Sequence, residues 1–303
     1  MFTQVLVPLD GSRLAESALP AADYFARAFH ASVTLVHVIE RDAPTEVHGE
    51  PHLRTPPEAD AYLRDVAGRF ISAGIRVEHH VHTSEVIHVA KSIIEHVGDF
   101  SADLIVMCAH GRGGLRNLLF GSIAQQVIAL GVTPTLIIQP STAGPLPAFA
   151  CRRILLPLDG DPGHERSLPV AAQIAGRCES SVHLLSIVRT LSTLSQRWAA
   201  SGRLLPGATS RMLDISVEET EEYLRRCRAE LQDSGVQATY DVYRGDPAEV
   251  IAAAAREFNI DLIVLGTHGR AAADAFWSES VGAQVCRTCR VPLLLVPIPR
   301  DKE

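Results

Sequence analysis

Short apolar runs that end at turn residues alternate along this chain with stretches whose apolar positions recur every three or four residues. "VLVPLD" (5–10) is the first such run. Behind it Leu14, Ala18, Ala22, Phe25 and Phe29 share one face of a helix that begins at about Ser12, a residue type suited to the N-cap. "SVTLVHVI" reads as the second strand. A variable loop follows, then a helix over about 58–73 and a third strand in "RVEHHVH". A helix over roughly 86–97, the strand "DLIVMCA", the helix "IAQQVIAL" and the strand "TLIIQ" complete the unit. Strands that are apolar on both faces and separated by helices predict a parallel sheet covered on both sides.

The pattern then repeats. "QVLVPLDG" (4–11) returns as "RILLPLDG" (153–160), so Asp10 matches Asp159, and Pro20 matches Pro169 at the same offset of 149 residues. "ADLIVMCAHGR" returns as "IDLIVLGTHGR" at an offset of 158, and "TPTLIIQP" as "VPLLLVPIP". Several matches in one order mark a tandem duplication. The second copy carries a net nine extra residues, placed between Arg189 and about Ser216. This predicts two doubly wound α/β domains, each with a five-stranded parallel sheet. They span 1–140 and 151–303, joined by a Pro/Gly/Ser-rich linker at 141–150.

The 303 residues suffice for two cores, and 47% apolar with 21% charged residues is ordinary for a globular protein. A net charge of −7 leans away from nucleic acid and anionic membrane as partners. No run reads as a membrane span or signal peptide, and six scattered cysteines form no disulfide framework. Both point to a reduced, cytoplasmic setting.

Candidate chemistry lies where strands end. In an open parallel sheet ligands sit at the carboxyl ends of strands where the winding reverses. Asp10 ends the first strand and "CAHGRGG" leaves the fourth, so the two face one crevice if those strands are neighbours. Gly121-Ser122 opens a helix whose free N–H groups suit phosphate. Ser122 is either a phosphate or magnesium ligand or a plain N-cap. Asp10 either accepts hydrogen bonds from a nucleoside or caps its own turn. Gly111, Gly113 and Gly114 permit unusual backbone, and Arg112 and Arg116 add charge. There is neither a P-loop nor a strand-linked G-x-G-x-x-G, and no nucleophile with its base stands out.

Together "VLVPLDGS", "LVHVIE", "IVMCAHGRGGLRNLLFGSIAQQVI" and "TPTLIIQP" resemble the universal stress protein family, and the resemblance covers both halves. ATP-binding members carry G-x2-G-x9-G-[ST] after the fourth strand. The resemblance therefore implies a site for ATP, or a related adenine nucleotide, in the first half. It maps onto Cys108, Gly111, Gly121 and Ser122, with Arg112, Gly113 and Ile123 beside them. Pro8 and Asp10 fall on the nucleoside side, a backbone contact to adenine near Val38, and Mg²⁺ reaches Ser122 through the nucleotide. Cys108 departs from the pattern, where a glycine is expected. The second half offers Pro157, Asp159, Gly266, Gly269, Arg270 and Ser280, but Glu279 stands at the phosphate-side glycine. A carboxylate about 6 Å from a phosphate costs roughly 2–3 kcal/mol at an effective dielectric of 20, or roughly 30- to 150-fold in affinity. Asp274 adds to it, so the second site is expected to be weak. The resemblance also implies pairing of the two halves through edge strands, and allows further pairing of chains into a homodimer.

The resulting expectation is a nucleotide-dependent stress or signalling protein rather than an enzyme, though slow ATP hydrolysis is compatible with it. A non-nucleotide interaction module is the alternative, and a redox protein of related fold a third. Cys286-x-x-Cys289 follows a helix instead of opening one, which reads as structural. Among His79, His80, His82 and His88, His80 and His82 share a strand face, which suits either a metal or simple polar groups at a strand end. His110 and His268 recur beside the glycine loops, bracing them or approaching phosphates.

Overall fold

The computed structural model describes residues 2–47, 49–109, 121–140, 146–190, 206–268 and 280–298. It divides into two compact units. The first holds Met1–Ala150 and the last strand of the chain; the second holds Cys151–Thr267 and Ser280–Val291.

In the first unit the elements run β1 (Gln4–Pro8), α1 (Arg13–Glu16), α2 (Leu19–Phe29), β2 (Ser32–Glu40), β3 (Glu46–Val47), β4 (Glu50–Pro51), α3 (Pro56–Ser72), β5 (Val77–Val86), α4 (Val89–Asp99), β6 (Leu104–Cys108), α5 (Ser122–Leu130) and β7 (Thr135–Ile138). Five strands of its sheet have the order β7-β6-β1-β2-β5, all parallel to one another. The winding therefore reverses between β1 and β6, which pair Val5↔Leu104 and Leu6↔Ile105. That pairing is pinned at its lower end by Asp103, whose carboxylate accepts from Thr3 N–H at 2.7 Å and Gln4 N–H at 3.0 Å. The same clamp recurs in the second unit, where Asp261 accepts from Arg152 N–H at 2.9 Å and Arg153 N–H at 3.0 Å.

The helix predicted from Ser12 begins there, with the Ser12 hydroxyl accepting from Ala15 N–H. It does not run on unbroken. Pro20 lacks an N–H and sits in the first turn of a new helix, α2, so the chain restarts at Leu19. Of the predicted face, Ala18, Ala22, Phe25 and Phe29 are buried and Leu14 is half-buried. Phe25 joins an aromatic cluster with Phe2, Phe29 and Tyr24. Phe149, at the end of the predicted linker, completes it at 5.2 Å from Tyr24 and 5.7 Å from Phe25 between ring centres.

The second unit repeats the plan with β8 (Arg153–Pro157), a short 3-10 turn (His164–Arg166), α6 (Ser167–Cys178), β9 (Ser181–Val188), α7 (Pro206–Asp233), β10 (Ala238–Arg244), α8 (Pro247–Glu257), β11 (Leu262–His268) and α9 (Val281–Thr288). Its strands lie in the order β10-β9-β8-β11, again parallel. Residues 206–215 of the predicted insertion are the start of α7, and 191–205 lie outside the described residues. The fifth strand of this repeat, β12 (Leu293–Ile298), lies in the first unit. It runs antiparallel to β7, with Leu293↔Ile137 and Leu295↔Thr135. The architecture is that of tandem Rossmann-like α/β domains. Among the described residues no helix is long and apolar enough to cross a membrane.

Candidate functional site

Because β1 and β6 are neighbours, their carboxyl ends open into one crevice. A cavity of about 330 Å³ lies there, walled by Pro8, Asp10, Val38, Cys108, Ser122 and Ile123 among others. Six residues separated by up to 115 positions in sequence thus meet on one surface, at the place where α/β sheets bind ligands.

Each wall has a local cause. Asp10 follows β1, and its Oδ1 accepts from Ser12 N–H at 2.9 Å, so the turn-capping role is real. The residue also lines the cavity. Gly11 takes φ +90°, which turns the chain sharply enough to bring Ser12 into position as the cap of α1. Cys108 ends β6 and is buried. Burial pushes its thiol well above the usual range, and the Asp10 charge adds to the shift, so the two residues sense each other across the crevice.

Val38 supplies backbone. The C=O of Val36 accepts from Leu9 N–H at 2.9 Å, so residues of that parity on β2 turn their polar groups toward β1. β1 ends at Pro8, and Val38 lies two residues farther on, where the crevice begins. The β2–β5 register also slips between Val38 and Glu40. At α5 the N-cap is Gly121, without a side-chain cap bond, and Ser122, Ile123 and Ala124 of the first turn line the cavity. The N–H groups of that turn, which have no partner within the helix, and the positive end of the helix dipole favour an anion. Ser122 is thus the first helical residue and not the cap.

Two histidines join the site without a prior signal in the sequence. His37 on β2 is buried, with Nδ1 2.7 Å from Leu9 C=O and Nε2 3.2 Å from Leu53 C=O. Burial pushes its pKa down, so its job is to tie the exit of β1 to the loop that follows β4. His52 lines the cavity, and its Nδ1 is buried with no hydrogen-bond partner among the described residues. His88 also lines it. Neither His37 nor His52 repeats at a spacing that would mark it, and only the fold of 41–55 over the crevice brings them in.

In the second unit the equivalents of these residues are used differently. His164 stands five residues after Asp159, as Ala15 does after Asp10. Its Nδ1 lies 2.8 Å from Asp159 Oδ1 and 2.9 Å from Oδ2. Burial alone would raise the Asp159 carboxyl, but the His164 hydrogen bond and charge hold it below the usual carboxylate range. That bond raises the His164 imidazole in turn. His164 also packs onto Gly266: a Cβ there would lie 3.1 Å from His164 Cα and 3.2 Å from its carbonyl oxygen. Ala15 with Cys108 in one unit has become His164 with Gly266 in the other. Ser280 caps α9 by accepting from Ala283 N–H at 3.2 Å. Pro157 ends β8 as Pro8 ends β1.

Gly111, Arg112, Gly113, Gly114, Arg116 and His110 lie outside the described residues, as do Gly269, Arg270, Asp274 and Glu279. Cys286 and Cys289 are buried, and burial pushes the Cys286 thiol up to about 12, which suits packing and not thiolate chemistry.

A model described as "Universal stress protein family" matches residues 1–139 and again 150–297. The chain is 33% identical over 140 residues to universal stress protein Sll1654 of Synechocystis, covering 46% of this chain and 86% of that protein. It is 25% identical over 317 residues to a universal stress protein of Mycolicibacterium smegmatis, covering 96% of each. A solved universal stress protein from Archaeoglobus fulgidus aligns with a TM-score of 0.69 at 17% identity, over 99% of this chain and 97% of that one, a likeness of fold. With two family matches laid end to end over two repeats of one strand plan, the chain belongs to the universal stress protein family as a tandem two-domain member.

Proposed function

We propose that the first unit binds ATP, or a related adenine nucleotide, and that the chain acts as a stress-response or signalling protein whose state follows nucleotide occupancy. One observation carries the reading: Asp10, Val38, Cys108, Ser122 and Ile123 wall a single cavity at the point where the sheet reverses its winding. Its parts match the parts of a nucleotide. Val38 offers backbone to a base edge, with Ile87, Ile93 and Met107 as apolar walls. The Asp10 carboxylate suits ribose hydroxyls, and the first turn of α5 suits phosphates. Arg112, Gly111, Gly113 and Gly121 belong to the phosphate side by sequence. The Ser122 hydroxyl is a hard oxygen donor of the kind Mg²⁺ accepts alongside nucleotide phosphates. Magnesium would supply charge neutralisation there.

The second unit is proposed as a weak site or none, serving structure and interaction. His164 closes on Asp159 and Gly266, where the nucleoside of a second ligand would lie. For that unit the interaction-module reading is the better one. Pairing of the two halves through edge strands, which the family resemblance implies, remains part of the proposal. The proposal includes no catalytic step, and His37 is read as structural because both its ring nitrogens face backbone carbonyls. The six cysteines form no disulfide, which suits a reducing, cytoplasmic setting.

Calorimetry and thermal unfolding of the full chain with ATP–Mg²⁺ test the reading. One tight site per chain and a rise in Tm are expected, because a ligand that binds only the folded state stabilises it. Two equivalent tight sites overturn the asymmetry. No heat and no change in Tm overturn nucleotide binding and leave the interaction module.

A further inference from the structure

Away from the crevice, three histidines of the first unit converge. His80 and His82 are two apart on β5 and share a face; His96 lies on α4, which packs on the neighbouring strand β2. One ring nitrogen from each lies within 4.8 Å of the other two. His96 Nε2 is 3.2 Å from His82 Nδ1, and the His80 and His96 ring centres are 4.8 Å apart. His96 is buried, His80 and His82 half-buried, and Phe100 packs on the rings of His80 and His96.

From this geometry we infer that His80, His82 and His96 form a binding site for a borderline divalent transition metal ion, Zn²⁺ foremost. Imidazole nitrogens are the donors such ions prefer, whereas Mg²⁺ and Ca²⁺ require oxygen. A tetrahedral Zn²⁺ with bonds of about 2.0–2.1 Å needs its donors roughly 3.3 Å apart. The His82–His96 pair already meets that spacing, and ring rotation brings His80 in. Three protein ligands leave a fourth position for water or a small anion.

A further feature separates this cluster from ordinary surface histidines. Asp99 Oδ2 is 3.1 Å from His96 Nδ1, so Nδ1–H donates to the carboxylate and the Nε2 lone pair points at the cluster. Carboxylates orient metal-ligating histidines in this way. His79, on the opposite face of β5, turns away to Asp60 at 3.0 Å. An ion here would join β5, the outer parallel strand of the unit, to α4. The first residues of α4, Val89, Ala90 and Ile93, wall the large cavity.

The test uses the full chain, stripped with chelator and free of nucleotide. Titrating Zn²⁺ by calorimetry is expected to show one site per chain and a raised Tm, and Co²⁺ to give the visible absorption of a tetrahedral complex. Mg²⁺ is expected to do neither. His80→Asn and His82→Asn, both on the partly exposed strand, should each weaken Zn²⁺ binding at least tenfold with an unchanged circular dichroism spectrum. His96→Gln should do the same, and Asp99→Asn should cost about 10- to 100-fold. No Zn²⁺ uptake by the wild type overturns the inference. So does unchanged affinity and stoichiometry in the His80→Asn/His82→Asn double variant, which would assign the ion to other histidines or to cysteines.

Discussion

His164 Nδ1 lies 2.8 Å from Asp159 Oδ1, and the same histidine presses its backbone against Gly266. The contact gives the pH behaviour of the second unit a defined shape. His164 is raised above its usual value of 6.5, so its contribution to stability is fully present below 6.5 and is lost as pH rises through the folded value. Asp159 is lowered from 3.8, so its contribution is present above 3.8 and is lost as pH falls through the folded value. The pair therefore helps most between 3.8 and 6.5. With the carboxylate side chain 60% exposed, solvent screening keeps the gain at a few tenths of a kcal/mol. Imidazole NMR should place the His164 midpoint above 6.5 in the wild type and lower in Asp159→Asn. An identical midpoint in both would show that the contact does not form in solution.

Nucleotide stoichiometry should respond to two obstacles and not to one. His164 closes on Asp159 and Gly266, the side proposed for a second nucleoside, and Glu279 replaces the phosphate-side glycine in sequence. Either His164→Ala or Glu279→Gly alone should leave about one ATP per chain. The double variant should gain a second, weaker site, with removal of the carboxylate worth roughly 30- to 150-fold. Calorimetric stoichiometry reads this directly. A second site appearing in Glu279→Gly alone would show that His164 swings aside without cost.

Asp10 caps its own turn and is proposed to hold the ribose, and two variants separate the two roles. Asn at this position keeps an oxygen to accept from Ser12 N–H, whereas Ala loses it. Asp10→Asn is expected to hold Tm near the wild-type value while weakening ATP by roughly 10- to 150-fold, the span of about 1.5–3 kcal/mol for a hydrogen bond to a charged group. Asp10→Ala should weaken ATP as much or more and also cost about 1 kcal/mol of stability through the lost turn bond. Equal ATP affinity in wild type and Asp10→Asn would remove the carboxylate from the ribose side.

The strand plan and the duplication were legible in sequence because apolar runs and their turn residues are local signals that the repeat states twice, whereas the β1–β6 adjacency that makes the crevice is a pairing across the sheet. Pro8, Asp10, Val38, Cys108, Ser122 and Ile123 do meet in one cavity. What escaped depends on packing across elements. The break between α1 and α2 turns on Pro20 falling in a first turn, which a face of Ala18, Ala22 and Phe25 conceals. His96 sits on a helix with Ile93 and Val97, where nothing in its spacing points to His82. The change from Ala15 to His164 is one difference among many until Gly266 is found beneath it. His37 and His52 enter only because the 41–55 segment folds back over β2.

Gly11 and Gly160 offer a matched comparison, since both occupy the left-handed region, at φ +90° and +82°. A Cβ on Gly160 meets nothing within 4 Å, so Gly160→Ala should cost only the backbone term of about 1–2 kcal/mol. A Cβ on Gly11 would lie 2.7 Å from Leu53 Cγ and 2.8 Å from its Cδ1, closer than carbon atoms approach. Leu53 has to move, and its carbonyl is the acceptor that faces His37 Nε2. Gly11→Ala should therefore cost about 2–4 kcal/mol, the strain together with overpacking. It should also weaken ATP, because the segment carrying His52 shifts with Leu53. Thermal unfolding and ATP titration of the two variants give the comparison. Equal losses of Tm, with ATP binding intact in Gly11→Ala, would show that Leu53 is not held against the first strand's exit.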